Sequence, residues 1–193
     1  MTLSIFAVLS LLVAGELQAG VVVGGTRFIF PADRESISIL LTNTSQESWL
    51  INSKINRPTR WAGGEVSTVP APLLAAPPLI LLKPGTTGTL RLLRTESDIL
   101  PVDRETLFEL SIASVPSGKV ENQSVKVAMR SVFKLFWRPE GLPGDPLEAY
   151  QQLRWTRNSQ GVQLTNPTPY YINLIQVSVN GKALSNVGVV PPK

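Results

Sequence analysis

Between Ser124 and Arg138 the chain carries its longest patterned apolar run, and that run restricts what it can fold into. The odd positions Val125, Val127, Met129, Phe133, Leu135 and Trp137 are apolar, interrupted by Ser131, while the even positions include Lys126, Arg130, Lys134 and Arg138. Read with the two-residue period of a strand, one face is apolar and the other basic. Read as a helix, the same cations recur at i, i+4 with the apolar residues opposite, so periodicity alone leaves both conformations open. The density of valine and aromatic side chains, and the strand-like segments around the run, favour the strand.

From Gly20 onward the chain divides into short β-rich segments separated by Gly, Pro, Asn and Ser, the pattern of an all-β sandwich. Val21 to Phe30 is the first segment, and its break at Gly24-Gly25 predicts a bulge or a change of sheet. Ser36 to Leu41 ends at the turn cluster Asn43-Thr44-Ser45, and Trp49 to Ile55 ends before Pro58. Residues 63–78 are rich in Pro, Ala and Gly and predict a loop leading into the strand Leu79 to Leu82, with Lys83-Pro84-Gly85 as a turn. Ala76-Pro77-Pro78 is a candidate cis site, a trans peptide being the default. Thr89 to Leu93 and Thr106 to Ala113 are further strands, separated by a polar loop or single helical turn over 98–105. A short connection over 114–122 suits a hairpin into the opening stretch.

That makes about seven strands before Arg138, the count of an immunoglobulin-like sandwich, here 20–138. Residues 139–150, beginning with a Gly- and Pro-rich run, are the expected linker. Beyond it, in 151–193, Leu153 to Thr156, Val162 to Leu164 and Tyr171 to Val179 are strand candidates, and Asn180-Gly181 is a hairpin signal. So few strands cannot close a sandwich, which predicts an incomplete second β domain with apolar surface left wet.

Residues 1–19 read as a secretory signal peptide, with an apolar core from Leu3 to Val13 and a cleavage site at Leu17-Gln18-Ala19. No apolar run is long enough to span a bilayer, so the expectation is export without stable membrane insertion after signal cleavage. The chain has no cysteine and no histidine. A disulfide framework, a thiol nucleophile, a Ser-His-Asp triad and the ordinary imidazole metal ligand are therefore all excluded. Enzymes built on paired carboxylates or a Ser-Lys pair remain in principle, but no such pair can be picked out, so neither a catalytic role nor a cofactor or metal is expected. A net charge of +4 and a pI near 9.6 favour carboxylate-bearing partners. Nucleic acid is not expected as a partner, because no recognition motif is present.

Five stretches, taken in order, resemble the periplasmic chaperones of the chaperone-usher pathway that assembles pili and fimbriae. They are Thr26-Arg27-Phe28-Ile29-Phe30; Ala76-Pro77-Pro78 followed by Leu82-Lys83-Pro84-Gly85; Asp103-Arg104-Glu105-Thr106-Leu107-Phe108; Phe133-Lys134-Leu135-Phe136-Trp137-Arg138-Pro139; and Asn166-Pro167-Thr168-Pro169-Tyr170-Tyr171. The resemblance implies a periplasmic chaperone that lends a β-strand to pilus subunits, keeps them from aggregating and delivers them to an outer-membrane usher.

The same resemblance assigns roles. Val125, Val127 and Met129 match the apolar side chains lent to the subunit, the alternative being that they fill the chain's own core, as Phe133, Leu135 and Trp137 are expected to. Arg27 and Lys134 match the pair that grips the subunit's C-terminal carboxylate, against the alternative of two solvated surface cations. Glu105 and Arg138 match an ion pair that sets the angle between domains; a rim salt bridge worth under about 1 kcal/mol remains equally open. Lys126 and Arg130 are expected to be solvated and to discourage self-pairing of the edge. The short connection before the last strand is similar to that of the subgroup serving rod-like pili. Family members carry further strands after the position of Lys193, so a C-terminally truncated chain is expected. The alternative from another class is an immunoglobulin-like surface adhesin or carbohydrate-binding module.

Overall fold

The computed structural model describes residues 20–59, 61, 70–95, 100–118, 126–159, 161–184 and 188–193. The expected signal peptide, residues 119–122 of the connection over 114–122, and Val125 lie outside the described residues.

In the first unit the strands are β1 (Val21–Val23), β2 (Arg27–Pro31), β3 (Ser36–Asn43), β4 (Trp49–Asn56), β5 (Leu73–Ala76), β6 (Leu79–Leu82), β7 (Thr87–Arg94), β8 (Thr106–Pro116) and β9 (Met129–Arg138). They form two sheets, an antiparallel one in the order β1-β3-β7-β5 and a mixed one in the order β2-β9-β8-β4-β6. The inward residues of both sheets interdigitate around Phe30, Leu41, Ile51, Leu90, Phe108 and Leu135, all fully buried. Phe30 stacks on Trp137 with ring centroids 5.4 Å apart, tying β2 to β9 from within the core.

The glycine pair acts as a change of sheet. Gly24 N–H donates to Leu40 O at 3.0 Å and Gly25 N–H donates to Val23 O at 2.8 Å, which turns the chain from β3's sheet into β9's. A Cβ on Gly25 would sit 2.9 Å from the Phe28 ring, so a larger residue there would push that ring aside. The turn cluster after β3 is fixed by Asn43. Its buried amide donates to Glu47 O and Leu82 O, and its Oδ1 accepts from Ser45 N–H and Oγ.

Two expectations need correction in this unit. Residues 63–78 are not all loop, because Leu73–Ala76 pairs with β7. As an edge strand between prolines, β5 keeps alternate side chains inward while its proline flanks cost no ladder bond. The Ala76-Pro77 peptide is cis rather than the default trans.

The second unit is built from β10 (Arg154–Asn158), β11 (Gly161–Thr165), β12 (Ile172–Asn173), β13 (Ser178–Val179), β14 (Lys182–Ala183) and β15 (Val189–Val190). They pair two by two, as β10-β11, β12-β15 and β13-β14. Asn180 and Gly181, with φ of 53° and 77°, form the turn of the last hairpin. The expected single strand over Tyr171 to Val179 breaks after Asn173: Leu174 N–H donates to Gly188 O, and Ile175 stands 95% exposed. The stretch 139–150 ends in a 3-10 turn, Ala149–Gln152, whose Ala149 is buried with Tyr170 and Ile172. The remaining apolar side chains of this unit are largely wet, Trp155, Val162 and Leu184 among them.

Candidate functional site

The opening stretch is a strand from Met129 to Arg138, and its two halves have different neighbours. On one side β8 accompanies it throughout, from Thr106 opposite Trp137 to Ser114 opposite Met129. On the other side β2 covers only Lys134 to Arg138, in parallel. From Met129 to Phe133 that second edge has no strand beside it among the described residues. Leu135 and Trp137 are buried and Phe133 is half-buried, whereas Val127 and Met129, in the same alternating row, are 63% and 61% exposed. The row thus leaves the core midway along the strand, as a period-2 pattern running past its own sandwich must.

The parallel register sets Arg27 directly beside Lys134. Because alternate residues share a face, Arg27 and Ile29 lie with Lys134, Phe136 and Arg138 on the outer surface of the sheet, where the second unit packs. There Phe136 meets the Tyr171 ring at 5.6 Å. Lys134 Nζ donates to Asn173 Oδ1 at 2.6 Å and lies 5.2 Å from the centre of the Trp61 ring. Burial, and then the neighbouring charge of Arg27, hold the Lys134 ammonium below the usual lysine range. Among the described residues no carboxylate lies within ion-pairing distance of Arg27 or Lys134. The site therefore sets the half-buried Lys134 ammonium next to the exposed Arg27 in the ladder, two like charges with no carboxylate between them among the described residues.

Below this pair the units are joined through Glu105. Its Oε1 accepts from Arg138 Nε at 2.7 Å, and its Oε2 accepts from the backbone N–H of Tyr171 in the second unit, also at 2.7 Å. Glu105 N–H in turn donates to Pro169 O at 2.9 Å, and the Arg138 guanidinium stands 5.4 Å from the Tyr170 ring centre. Glu105 is 3% exposed, and each of its two carboxylate oxygens accepts a bond from a different donor. Arg27, Phe136, Arg138, Tyr171 and Asn173 line a small cavity of about 100 Å³ between the units.

Of the two cations expected to be solvated, Arg130 on the free half of β9 is exposed. Lys126 is half-buried instead, its ammonium close against Gly118. Sequence reasoning missed Asn173 and Trp61. Neither stands in a motif, and only the packing of the units and of the segment after β4 brings them to Lys134.

Fold and site together define a two-unit, all-β protein with two cations beside a strand whose second edge is only partly covered. The chain belongs to the pilus-assembly chaperones: residues 20–143 match the pili and flagellar-assembly chaperone family, PapD N-terminal domain, and residues 148–193 match the pili assembly chaperone PapD, C-terminal domain. It is 98% identical over its full length to the fimbrial chaperone YcbF of Escherichia coli strain K12, spanning 82% of that protein. It is 32% identical to the chaperone FimC of the same organism, over 95% of this chain and 75% of FimC. Among solved structures it resembles the SafB chaperone of Salmonella enterica, determined in complex with the SafA pilin, with a TM-score of 0.76 and 32% identity over 93% of this chain and 82% of SafB. A family of chaperones, rather than of adhesins or carbohydrate-binding modules, accounts for residues 20–143 and 148–193.

Proposed function

We propose that the chain binds pilus subunits in the periplasm by two devices used together. Arg27 and Lys134 take the C-terminal carboxylate of a subunit, and the open half of β9 lends its edge, with Val125, Val127 and Met129 entering the groove of a sandwich that lacks a strand. The observation that carries this reading is the parallel register that sets Arg27 beside Lys134 at the end of the stretch of β9 that β2 covers. A planar guanidinium donates two parallel hydrogen bonds to a carboxylate and the ammonium adds a point charge, each such bond contributing about 1.5 to 3 kcal/mol in a partly dry cleft. A carboxylate fixed there sets the register of any strand added along Met129 to Phe133. A slip by one residue would turn Val127 and Met129 away from the groove.

In this reading 20–138 is the subunit-binding domain, 139–150 the linker, and the Glu105–Arg138 pair fixes the cleft between them and 151–193. The role is non-enzymatic, and delivery to an outer-membrane usher follows it. The relative SafB, solved with a pilin bound, supports the same mode.

The test is coexpression with a strand-deficient subunit. The full chain gives a one-to-one complex, and Arg27→Ala or Lys134→Ala removes it while the far-ultraviolet circular dichroism of the free chain is unchanged. Undiminished complex with the double variant refutes the anchor.

A further inference from the structure

Trp61 follows β4 and is half-buried, yet among the described residues no core side chain accounts for its position. A buried carboxylate does. Glu109, only 5% exposed, stands opposite Lys134 in the β8–β9 ladder. Its Oε1 accepts the backbone N–H of Thr59 at 2.7 Å and its Oε2 accepts the Thr59 hydroxyl at 3.2 Å. A glutamate is rarely buried in a sheet unless it is bonded, and here two of its bonds hold Thr59, two residues before Trp61. The Trp61 ring centre lies 5.2 Å from Lys134 Nζ, which donates to Asn173 Oδ1. A carboxylate bonded to that ammonium at about 2.8 Å brings the side chain of its own residue within contact distance of the ring.

We infer that Trp61 is a specificity-determining residue of the anchor: it walls the space taken by the side chain of the terminal residue and favours a large apolar or aromatic group there, with Glu109 positioning it through Thr59. This rests on the reading that Arg27 and Lys134 hold a chain terminus, and deepens it by naming the kind of terminus preferred. The ring also shields the ammonium from water, so the wall strengthens the charge contact beside it.

The experiment uses the full chain and short synthetic peptides of alternating apolar residues ending in Phe, Leu, Gly or Ser. Each peptide is made as the free acid and as the C-terminal amide, and binding is measured by calorimetry. The expected result is that acids bind and amides do not, and that Phe and Leu endings bind roughly three- to tenfold more tightly than Gly or Ser. Trp61→Ala levels that ranking while acids remain preferred over amides, and Trp61→Leu, which fills the space without a ring, keeps part of it. Glu109→Ala levels it too, whereas Glu109→Gln, which retains an acceptor for Thr59, preserves it. A ranking unchanged in Trp61→Ala, or equal binding of all four acids to the unaltered chain, overturns the inference and leaves the anchor standing. Equal binding of acids and amides, or no binding of any acid, overturns the anchor itself.

Discussion

Glu105→Gln is the substitution that best separates a structural joint from a surface contact. Both partners of the Glu105 carboxylate, Arg138 Nε and Tyr171 N–H, are donors, and each sits 2.7 Å from a different oxygen. A carboxylate has an acceptor for each, but an amide of the same shape has only one, so its NH2 must face a donor at the other position. The exchange removes one charge-assisted hydrogen bond, about 1.5 to 3 kcal/mol, and leaves a buried donor unmatched. Glu105 is almost wholly buried and Arg138 is 27% exposed on its side chain, so solvent restores part of the Arg138 term and none of the Tyr171 term. We expect a loss of about 2 to 4 kcal/mol in urea unfolding, together with cleavage after Pro139 at protease concentrations that spare the unaltered chain. Glu140→Gln, at an exposed position nearby, serves as the control and should shift stability by less than about 0.5 kcal/mol. If Glu105→Gln matches that control, Glu105 and Arg138 are an ordinary rim pair and the units are not joined through them.

Three further outcomes are expected. Lys134 should lose its proton at lower pH than a lysine in an unfolded peptide, because burial and Arg27 oppose its charge. The unfolded chain then binds the proton more tightly, so this group's contribution to stability rises with pH across the window between the two titrations. Side-chain amine resonances followed by NMR check this, with a bound carboxylate moving the midpoint upward; a midpoint equal to the peptide's counts against a desolvated site. Met129→Ala should leave stability within about 0.5 kcal/mol of the starting chain, while weakening the subunit complex, since its side chain is mostly in solvent. Leu135→Ala, in the same row but fully buried, should cost about 2 to 5 kcal/mol, read from the urea midpoint.

The pattern of β9 was legible because a period of two survives whatever surrounds it, and the break at Gly24-Gly25 was legible because paired glycines interrupt a β pattern. Where the alternating row stops being core was legible in outline, because Val127 and Met129 stand toward the connection over 114–122 and the strand's free end, but the length of β2, which decides it, was not. The edge strand β5 was hidden because its prolines and alanines carry a loop's composition, and the overlong reading of Tyr171 to Val179 arose because apolar alternation does not show where pairing ends. Arg27 and Lys134 were singled out by resemblance, since no local pattern aligns two cations so far apart in sequence. Trp61, Glu109 and Asn173 could not be read at all, their positions depending on which surfaces meet after folding.

The central claim is that one strand serves two sandwiches, and the absence of cysteine allows a direct measurement. Single cysteines at positions 127, 128, 129 and 130, each carrying an environment-sensitive fluorophore, report burial residue by residue when a strand-deficient subunit is added. The account predicts an alternating response, with positions 127 and 129 moving into an apolar surrounding and positions 128 and 130 remaining in water. A uniform response along the four positions, or the opposite alternation, would contradict it.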